Sequence, residues 1–313
     1  MDGGQIVVIG STNVDLVTTA ARMPAAGETL TGTGFSIGHG GKGANQAVAA
    51  ARLGGAVALV SRVGDDDFAA GARRALERAG VDTRHVLTSP GLPTGVATIL
   101  VEPDGENRIV IVRGANGAIA PADVDAAAAT IAAARLVLLQ LEIPPETVFH
   151  AIEVARRARV EVLLNPAPAL AGLDVARLAG VRFLVPNETE LALLTGLPTD
   201  TEAACVAAAR TLNDRGIGTV IVTRGAEGAL MVEAGHVQAV PGVAVNPVDT
   251  TGAGDAFIGA FARYYAGGLA PEQALARAAA YAALTVTRPG AQDSYPDAAA
   301  FAAFSAAIAS ADK

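Results

Sequence analysis

The sequence predicts an α/β fold: a doubly wound, mostly parallel sheet flanked by helices, with a small β-sheet lid. Three observations carry this. From Pro121 onward, amphipathic or apolar helical runs alternate with short apolar strands, the arrangement of βαβ units. The strands, residues 6–9 first among them, are continuously apolar, as strands buried on both faces are. Between residues 94 and 113 the texture changes to two β-rich stretches around Pro103-Asp104-Gly105-Glu106-Asn107, a turn signal that reads as an inserted hairpin.

In chain order, Ile6-Val7-Val8-Ile9 before Gly10 is the first buried strand, with Asn13 and Asp15 beyond its carboxyl end, where open α/β sheets place ligands. Residues 29–37, rich in Thr and Gly, supply strand outside the main sheet. Gly38-His39-Gly40-Gly41-Lys42-Gly43-Ala44-Asn45-Gln46 opens a helical run over 47–53. Strand 56–61 and helix 66–79 follow, then the hairpin 95–101 and 108–112. The alternation that remains pairs helix 121–134 with strand 136–141, helix 145–158 with strand 160–164, and strand 183–185 with a helix to Thr195. Helix 201–213 precedes strand 219–223; segments 229–232 and 236–240 finish the sheet edge. Helices 252–266, 271–287 and 296–309 close the chain. One α/β domain spans 1–313, with the lid contributed by about 12–38 and 94–113.

Composition narrows the function. Apolar residues are 51% of the 313, enough for a large core, and the absence of Trp with abundant Ala makes it a core of small side chains. A net charge of −8 without a basic cluster argues against nucleic acid and anionic membranes as partners. The single cysteine, Cys205, fits a reducing compartment and a small core residue. The N-terminus leads straight into a strand, and 298–311 is too short to span a bilayer, so a cytosolic location is expected. His39, His85, His150 and His236 lack metal-ligand spacing.

Two stretches carry chemistry. Asp249-Thr250-Thr251-Gly252-Ala253-Gly254-Asp255 precedes an apolar helix, so an anion can approach small residues where helical N–H groups are unpaired. Asp255 is read either as charge compensation at a helix start or as a base beside a phosphate cradle. The glycine loop is read either as a turn or as a ligand loop, with Lys42 and Asn45 one turn apart facing a polyhydroxy ligand. Gly38, Gly40 and Gly43 match G-x-G-x-x-G formally, but the first strand ends at Gly10 and position 63 is Val, so a dinucleotide site is disfavoured. Polar residues also gather after other strands: Glu142, Asn187 and Glu190, Thr223 and Gly225.

Both stretches resemble the two signature regions of the ribokinase-like carbohydrate kinases, and the resemblance extends over nearly the whole chain, including Gly10-Ser11-Thr12-Asn13-Val14-Asp15, Asn165-Pro166-Ala167-Pro168 and Pro186-Asn187-Glu188-Thr189-Glu190. It implies ATP-dependent phosphoryl transfer to the 5-hydroxyl of ribose. On that resemblance Asn13, Asp15, Gly41, Lys42, Asn45 and Glu142 hold the sugar, Asp255 is the general base, and Gly252, Ala253 and Gly254 form the anion hole. Asn187, Thr223, Gly225, Gly228 and Gly254 line the nucleotide site, with Glu190 near Mg²⁺. Asp249, Thr251, Thr285, Arg288, Gly290 and Ser294 match the positions around an activating K⁺. His39 stands where the resemblance leads one to expect an apolar or aromatic residue, at the rim of the sugar pocket. A homodimer through the lid is expected. The rivals are a sister kinase acting on deoxyribose, fructose, a keto-deoxy sugar acid or a nucleoside, and a non-catalytic sensor of sugar or nucleotide.

Overall fold

The computed structural model describes residues 4–103 and 106–311. In chain order the strands and helices are β1 (Ile6–Ile9), β2 (Asn13–Thr19), β3 (Gly34–Gly40), α1 (Lys42–Arg52), β4 (Val57–Val63), α2 (Asp67–Arg78), β5 (Val81–Thr88), β6 (Gly95–Val101) and β7 (Asn107–Val112). Then come α3 (Pro121–Ala126), α4 (Ala128–Ala132), β8 (Leu136–Leu139), α5 (Pro145–Arg157), β9 (Glu161–Leu164), β10 (Phe183–Leu184), α6 (Glu188–Thr195) and α7 (Glu202–Asn213). The chain ends with β11 (Thr219–Thr223), β12 (Ala229–Glu233), β13 (His236–Val240), α8 (Ala253–Ala266), α9 (Pro271–Thr285) and α10 (Ala298–Ala311).

The expected doubly wound sheet is present. Nine strands run in the order β13-β12-β11-β10-β9-β8-β1-β4-β5, parallel from β5 to β11 and ending in an antiparallel hairpin. The apolar runs are continuous because each strand feeds two cores. Ile6 and Val8 of β1 join the core beneath α1, α8 and α9, whereas Val7 and Ile9 join the one beneath α3, α5 and α7. In the first core Phe183 meets Phe261 and Tyr265 edge-on at centroid distances of 5.0 and 4.8 Å. Cys205 is a fully buried member of the second. Among the described residues, no helix is long and apolar enough to cross a membrane.

A separate four-stranded sheet, β3-β2-β6-β7, stands apart from the large one. The predicted hairpin is β6 and β7, paired from Val96↔Val112 to Val101↔Asn107, while Asp104 and Gly105 of its turn lie outside the described residues. Four differences from the sequence expectation have physical causes. Residues 13–19, expected within the lid region as polar residues after a strand and given no strand of their own, form β2, paired to β3 and β6 along its length. Residues 81–88 form β5, an edge strand whose Asp82, Arg84 and His85 hide its β pattern. Helix α1 begins at Lys42, not residue 47, because Gly43 is demanded by packing despite its poor helix propensity. The expected helix 121–134 is two helices broken at Ala127.

Arg159 follows the C-cap of α5 in the left-handed region, φ 59°, the single non-glycine residue with positive φ among those described. Its N–H still closes the helix end on the Arg156 carbonyl at 3.1 Å. Arg159→Gly is expected to raise the stability by about 1 kcal/mol, read as a higher urea midpoint with an unchanged m-value.

Candidate functional site

The sheet order reverses at β1, which lies between β4 and β8, so the loops leaving the carboxyl ends of β1 and β8 splay to opposite sides and leave a crevice. Ser11, Thr12 and Asn13 leave β1 there, and Glu142 follows β8. Helix α1 starts in the same place because Gly43 lets it touch the strand end: a Cβ on Gly43 would lie 2.6 Å from the Gly10 carbonyl carbon and the Ser11 nitrogen. Gly41, at φ 89°, has no room either, since a Cβ would lie 2.7 Å from the Asn13 nitrogen. The glycine loop is thus a close-packed turn that sets Lys42 and Asn45 at the crevice.

Glu142 is tied down by donors from both sides, the Ser11 hydroxyl and the Lys42 backbone N–H, the latter at 3.0 Å. Asn13 Oδ1 accepts from Asn116 Nδ2 at 2.7 Å, and the Asn116 side chain also grips the Thr12 backbone N–H (2.8 Å) and carbonyl (3.1 Å). Burial, reinforced by Glu142 and Asp255, pushes the Asp15 carboxyl up to about 6. Burial works against the charge of Lys42, but Asp255, Glu142 and Glu190 outweigh it and raise its pKa. Sugar candidates, base candidate and Mg²⁺ candidate therefore share one electrostatic neighbourhood.

The Asp15 position has a pH consequence. Its folded pKa lies above the ordinary 3.8, so the folded chain holds the extra proton between roughly pH 4 and 6, and above that window the buried charge weakens the fold. If Asp15 accepts a sugar hydroxyl as a carboxylate, the sugar KM rises as pH falls below about 6. Asp15→Asn is expected to abolish that dependence and weaken sugar binding, yet raise Tm at pH 7.5. A KM-versus-pH profile and a thermal melt check both parts.

Asp255 is the third residue of α8 and is buried. Its Oδ2 accepts from Asn45 Nδ2 at 2.9 Å and its Oδ1 from Gln46 Nε2 at 3.0 Å. Both bonds come from side chains of another helix, which favours a site over simple compensation of the α8 terminus. Gly252 caps α8 at φ 74°, and its carbonyl accepts from the Tyr295 hydroxyl at 2.9 Å. Of the three residues expected to form an anion hole, Ala253 already gives its N–H to the Thr250 carbonyl at 3.2 Å. Gly254 and Asp255 keep first-turn N–H groups without an intrahelical acceptor, and a Cβ on Gly254 would meet open space.

At the other end of the crevice Asn187 and Glu190 form a capping box on α6: Glu190 N donates to Asn187 Oδ1 at 2.8 Å and Asn187 N to Glu190 Oε2 at 2.9 Å. Burial and Asp255 raise the Glu190 pKa against the pull of that N–H and of Lys42. Asn187 pairs with Thr223 in an isolated parallel bridge, so the two come together. Gly225 (φ 55°) and Gly228 (φ 92°) bound the turn after β11, where a Cβ on Gly228 would lie 2.5 Å from the Gly242 nitrogen.

Asp249 joins the loop before α8 to the loop after α9. Its two oxygens accept from Thr251 N at 2.9 Å and Gly290 N at 2.8 Å. Burial raises its pKa, but the Thr251 and Gly290 bonds outweigh it and hold the carboxyl below its ordinary range. Thr285 and Ser294 give their hydroxyl protons to the Ala282 and Ala291 carbonyls, and the Thr285 carbonyl accepts from Arg288 N at 3.2 Å. An ionised carboxylate among oxygens suits a hard monovalent cation. His39 pairs with Val14, which strand alternation places on the face opposite Asn13 and Asp15. Its ring lies by α2, 3.8 Å from where a Cβ on Gly71 would stand.

Four residues of this region, Asn116, Gln140, Gln292 and Tyr295, are not evident as site residues in the sequence. They lie about a hundred residues or more from most of the groups they hold, and none belongs to a local pattern with a chemical meaning.

Comparison with known proteins identifies the family. Residues 4–298 match the pfkB family carbohydrate kinase model. The chain is 50% identical to a deoxyribokinase of Salmonella typhi over 93% of its own length and 95% of that protein's. It is 40% identical to a ribokinase of Mus musculus, covering 94% and 93%. The solved structure of Arabidopsis thaliana ribokinase complexed with ribose and ATP superimposes with a TM-score of 0.89 at 33% identity, covering 96% of this chain and 98% of that one.

Proposed function

We propose that this chain, which belongs to the pfkB family of carbohydrate kinases, transfers the γ-phosphoryl group of ATP to the 5-hydroxyl of a free pentose. The observation that carries the reading is Asp255: a buried carboxylate, oriented by Asn45 and Gln46, directly beside the open N–H groups of the α8 terminus. In that place it takes the proton of the attacking hydroxyl while Gly254 and its neighbours receive the charge on the migrating phosphoryl group. Asn13, Asp15, Gly41, Lys42, Asn45 and Glu142 hold the other hydroxyls. Asn45 Nδ2 keeps a second N–H beyond its bond to Asp255 for this purpose. Asn187, Thr223, Gly225 and Gly228 line the nucleotide; ATP as the phosphoryl donor is in keeping with the Arabidopsis relative, solved with ribose and ATP.

Glu190 is placed to act on Mg²⁺, directly or through its waters, because only one of its oxygens is tied into the capping box. Asp249, Thr251, Thr285, Arg288, Gly290 and Ser294 would hold K⁺, whose charge stiffens the loop carrying the N–H groups. The small sheet would cover the pentose and pair with a second copy. Its exposed Phe35, Ile37, Val110 and Val112, 53–66% accessible, support a homodimer through that face.

Ribose is the acceptor expected from the sequence. A second reading, 2-deoxyribose, is favoured by the higher identity to the Salmonella deoxyribokinase than to the mouse ribokinase. A site built to bond a 2-hydroxyl discriminates strongly against its absence, so the two readings separate in kcat/KM. A coupled ADP-release assay with ribose, 2-deoxyribose, fructose and adenosine, with and without K⁺, tests the proposal. Turnover of either pentose supports it; turnover of fructose or adenosine alone moves the activity to a sister kinase. ADP release with none of them would leave a sensor.

A further inference from the structure

Each carboxamide that grips Asp255 is itself gripped by another. While Asn45 Nδ2 donates to Asp255, Asn45 Oδ1 accepts from Gln292 Nε2 at 3.0 Å. While Gln46 Nε2 donates to Asp255, Gln46 Oε1 accepts from Gln140 Nε2 at 2.6 Å. A carboxamide has a donor end and an acceptor end of nearly equal size. Turned through 180°, Asn45 or Gln46 would set an oxygen against the Asp255 carboxylate. All five side chains are buried, at 0–6% exposure, so water does not soften that repulsion.

The outer pair comes from remote parts of the chain. Gln140 directly follows β8. Gln292 sits in the 3-10 turn Gln292–Ser294, whose backbone is held by Arg52 at the last turn of α1: Nη1 donates to the Gln292 carbonyl at 2.7 Å and to the Tyr295 carbonyl at 2.6 Å. Helix α1 therefore supplies both Asn45 and the guanidinium that seats its partner.

We propose that Gln292 and Gln140 are positioning residues for phosphoryl transfer, holding the acceptor ends of Asn45 and Gln46 so that both donor ends stay on Asp255. The inference rests on Asp255 acting as the base. Its effect is to fix the carboxylate in the orientation from which it takes the hydroxyl proton.

The test has two parts, both at saturating pentose and ATP. Gln292→Leu and Gln140→Leu each remove a donor and are expected to lower kcat about tenfold. Gln140→Glu is expected to be slower still at pH 8, because its carboxylate draws Gln46 Nε2 to itself and turns Oε1 towards Asp255. Burial raises the introduced acid's pKa, so it regains a proton, and an O–H donor, as pH falls. The ratio of kcat for Gln140→Glu to kcat for Gln140→Leu should then rise about fivefold or more between pH 8 and pH 5.5. Asp15 and Glu190 are the same in both variants and cancel in the ratio, and Lys42, with its raised pKa, stays charged throughout. A purely structural role predicts a flat ratio.

A kcat within twofold of wild type for folded Gln292→Leu, or a flat ratio, overturns the proposal. Should Gln292→Leu not fold, Gln140→Leu gives the rate comparison on the other arm. Failure of the base reading shows separately, as near-normal kcat in Asp255→Asn whatever residue stands at 292.

Discussion

Asp255→Asn is expected to lower kcat by about 10²-fold or more while pentose binding is largely kept. The substitution preserves shape, so the sugar candidates Asn13, Asp15, Lys42 and Glu142 stay in place. What it removes is the proton acceptor. It also sets an amide NH₂ against one of the two donors, Asn45 Nδ2 or Gln46 Nε2, that now meet carboxylate oxygens. ADP release at saturating pentose reads the chemical step, and titration calorimetry with pentose alone reads binding. Near-normal kcat would return Asp255 to the simpler role of charge at the start of α8.

Gly252→Ala is expected to lower kcat by about 10²-fold and to destabilise the fold by roughly 2–4 kcal/mol. The backbone is left-handed at this position, where an L side chain is strained. The new methyl would stand 2.6 Å from the Tyr295 hydroxyl and 2.9 Å from Ala291 Cβ. Tyr295 cannot swing aside, because it is buried and its hydroxyl is bonded to the Gly252 carbonyl. The turn that aims the Gly254 N–H must therefore move. Urea unfolding gives the stability and ADP release the rate. A variant with wild-type kcat would mean that the turn does not need this geometry to receive the phosphoryl charge.

Much of the molecule could be read before folding, and the limits are instructive. The large sheet was legible because burial on both faces makes strands such as Val7–Ile9 and Leu136–Leu139 uniformly apolar. Strand β2 was not, because Asn13 and Asp15 are poor strand formers and Val17 breaks the alternation they share with Val14 and Leu16, and β5 was not, because an edge strand tolerates charge. The two ends of the site were legible as motifs, since Lys42, Asn45, Gly252 and Asp255 each lie in a short run whose spacing has a chemical meaning. Nothing local could reveal that Asn116 holds Asn13, that Gln292 holds Asn45, or that Tyr295 holds the Gly252 carbonyl. These are single contacts across 43–247 residues, made by common polar side chains. Nor did the sequence indicate that the N–H of Ala253 is already taken.

The contact between α1 and α8 has a mechanical consequence. Gly259 brings the two helices so close that a Cβ there would lie 2.6 Å from both Ala49 Cβ and the Gln46 carbonyl oxygen. With no side chain between the backbones, the helix bearing Asn45 and Gln46 cannot slide along the helix bearing Asp255 without collision. Asp255 and the α1 residues Lys42, Asn45 and Gln46 therefore move as one body, whereas Asn13 and Asp15 ride on β2 of the small sheet. A closing motion that brings Asn13 and Asp15 onto a sugar would then be carried by the small sheet, moving against this fixed pair of helices. The slow step of the cycle would then be a hinge motion on the microsecond-to-millisecond scale rather than a rearrangement among the reacting groups.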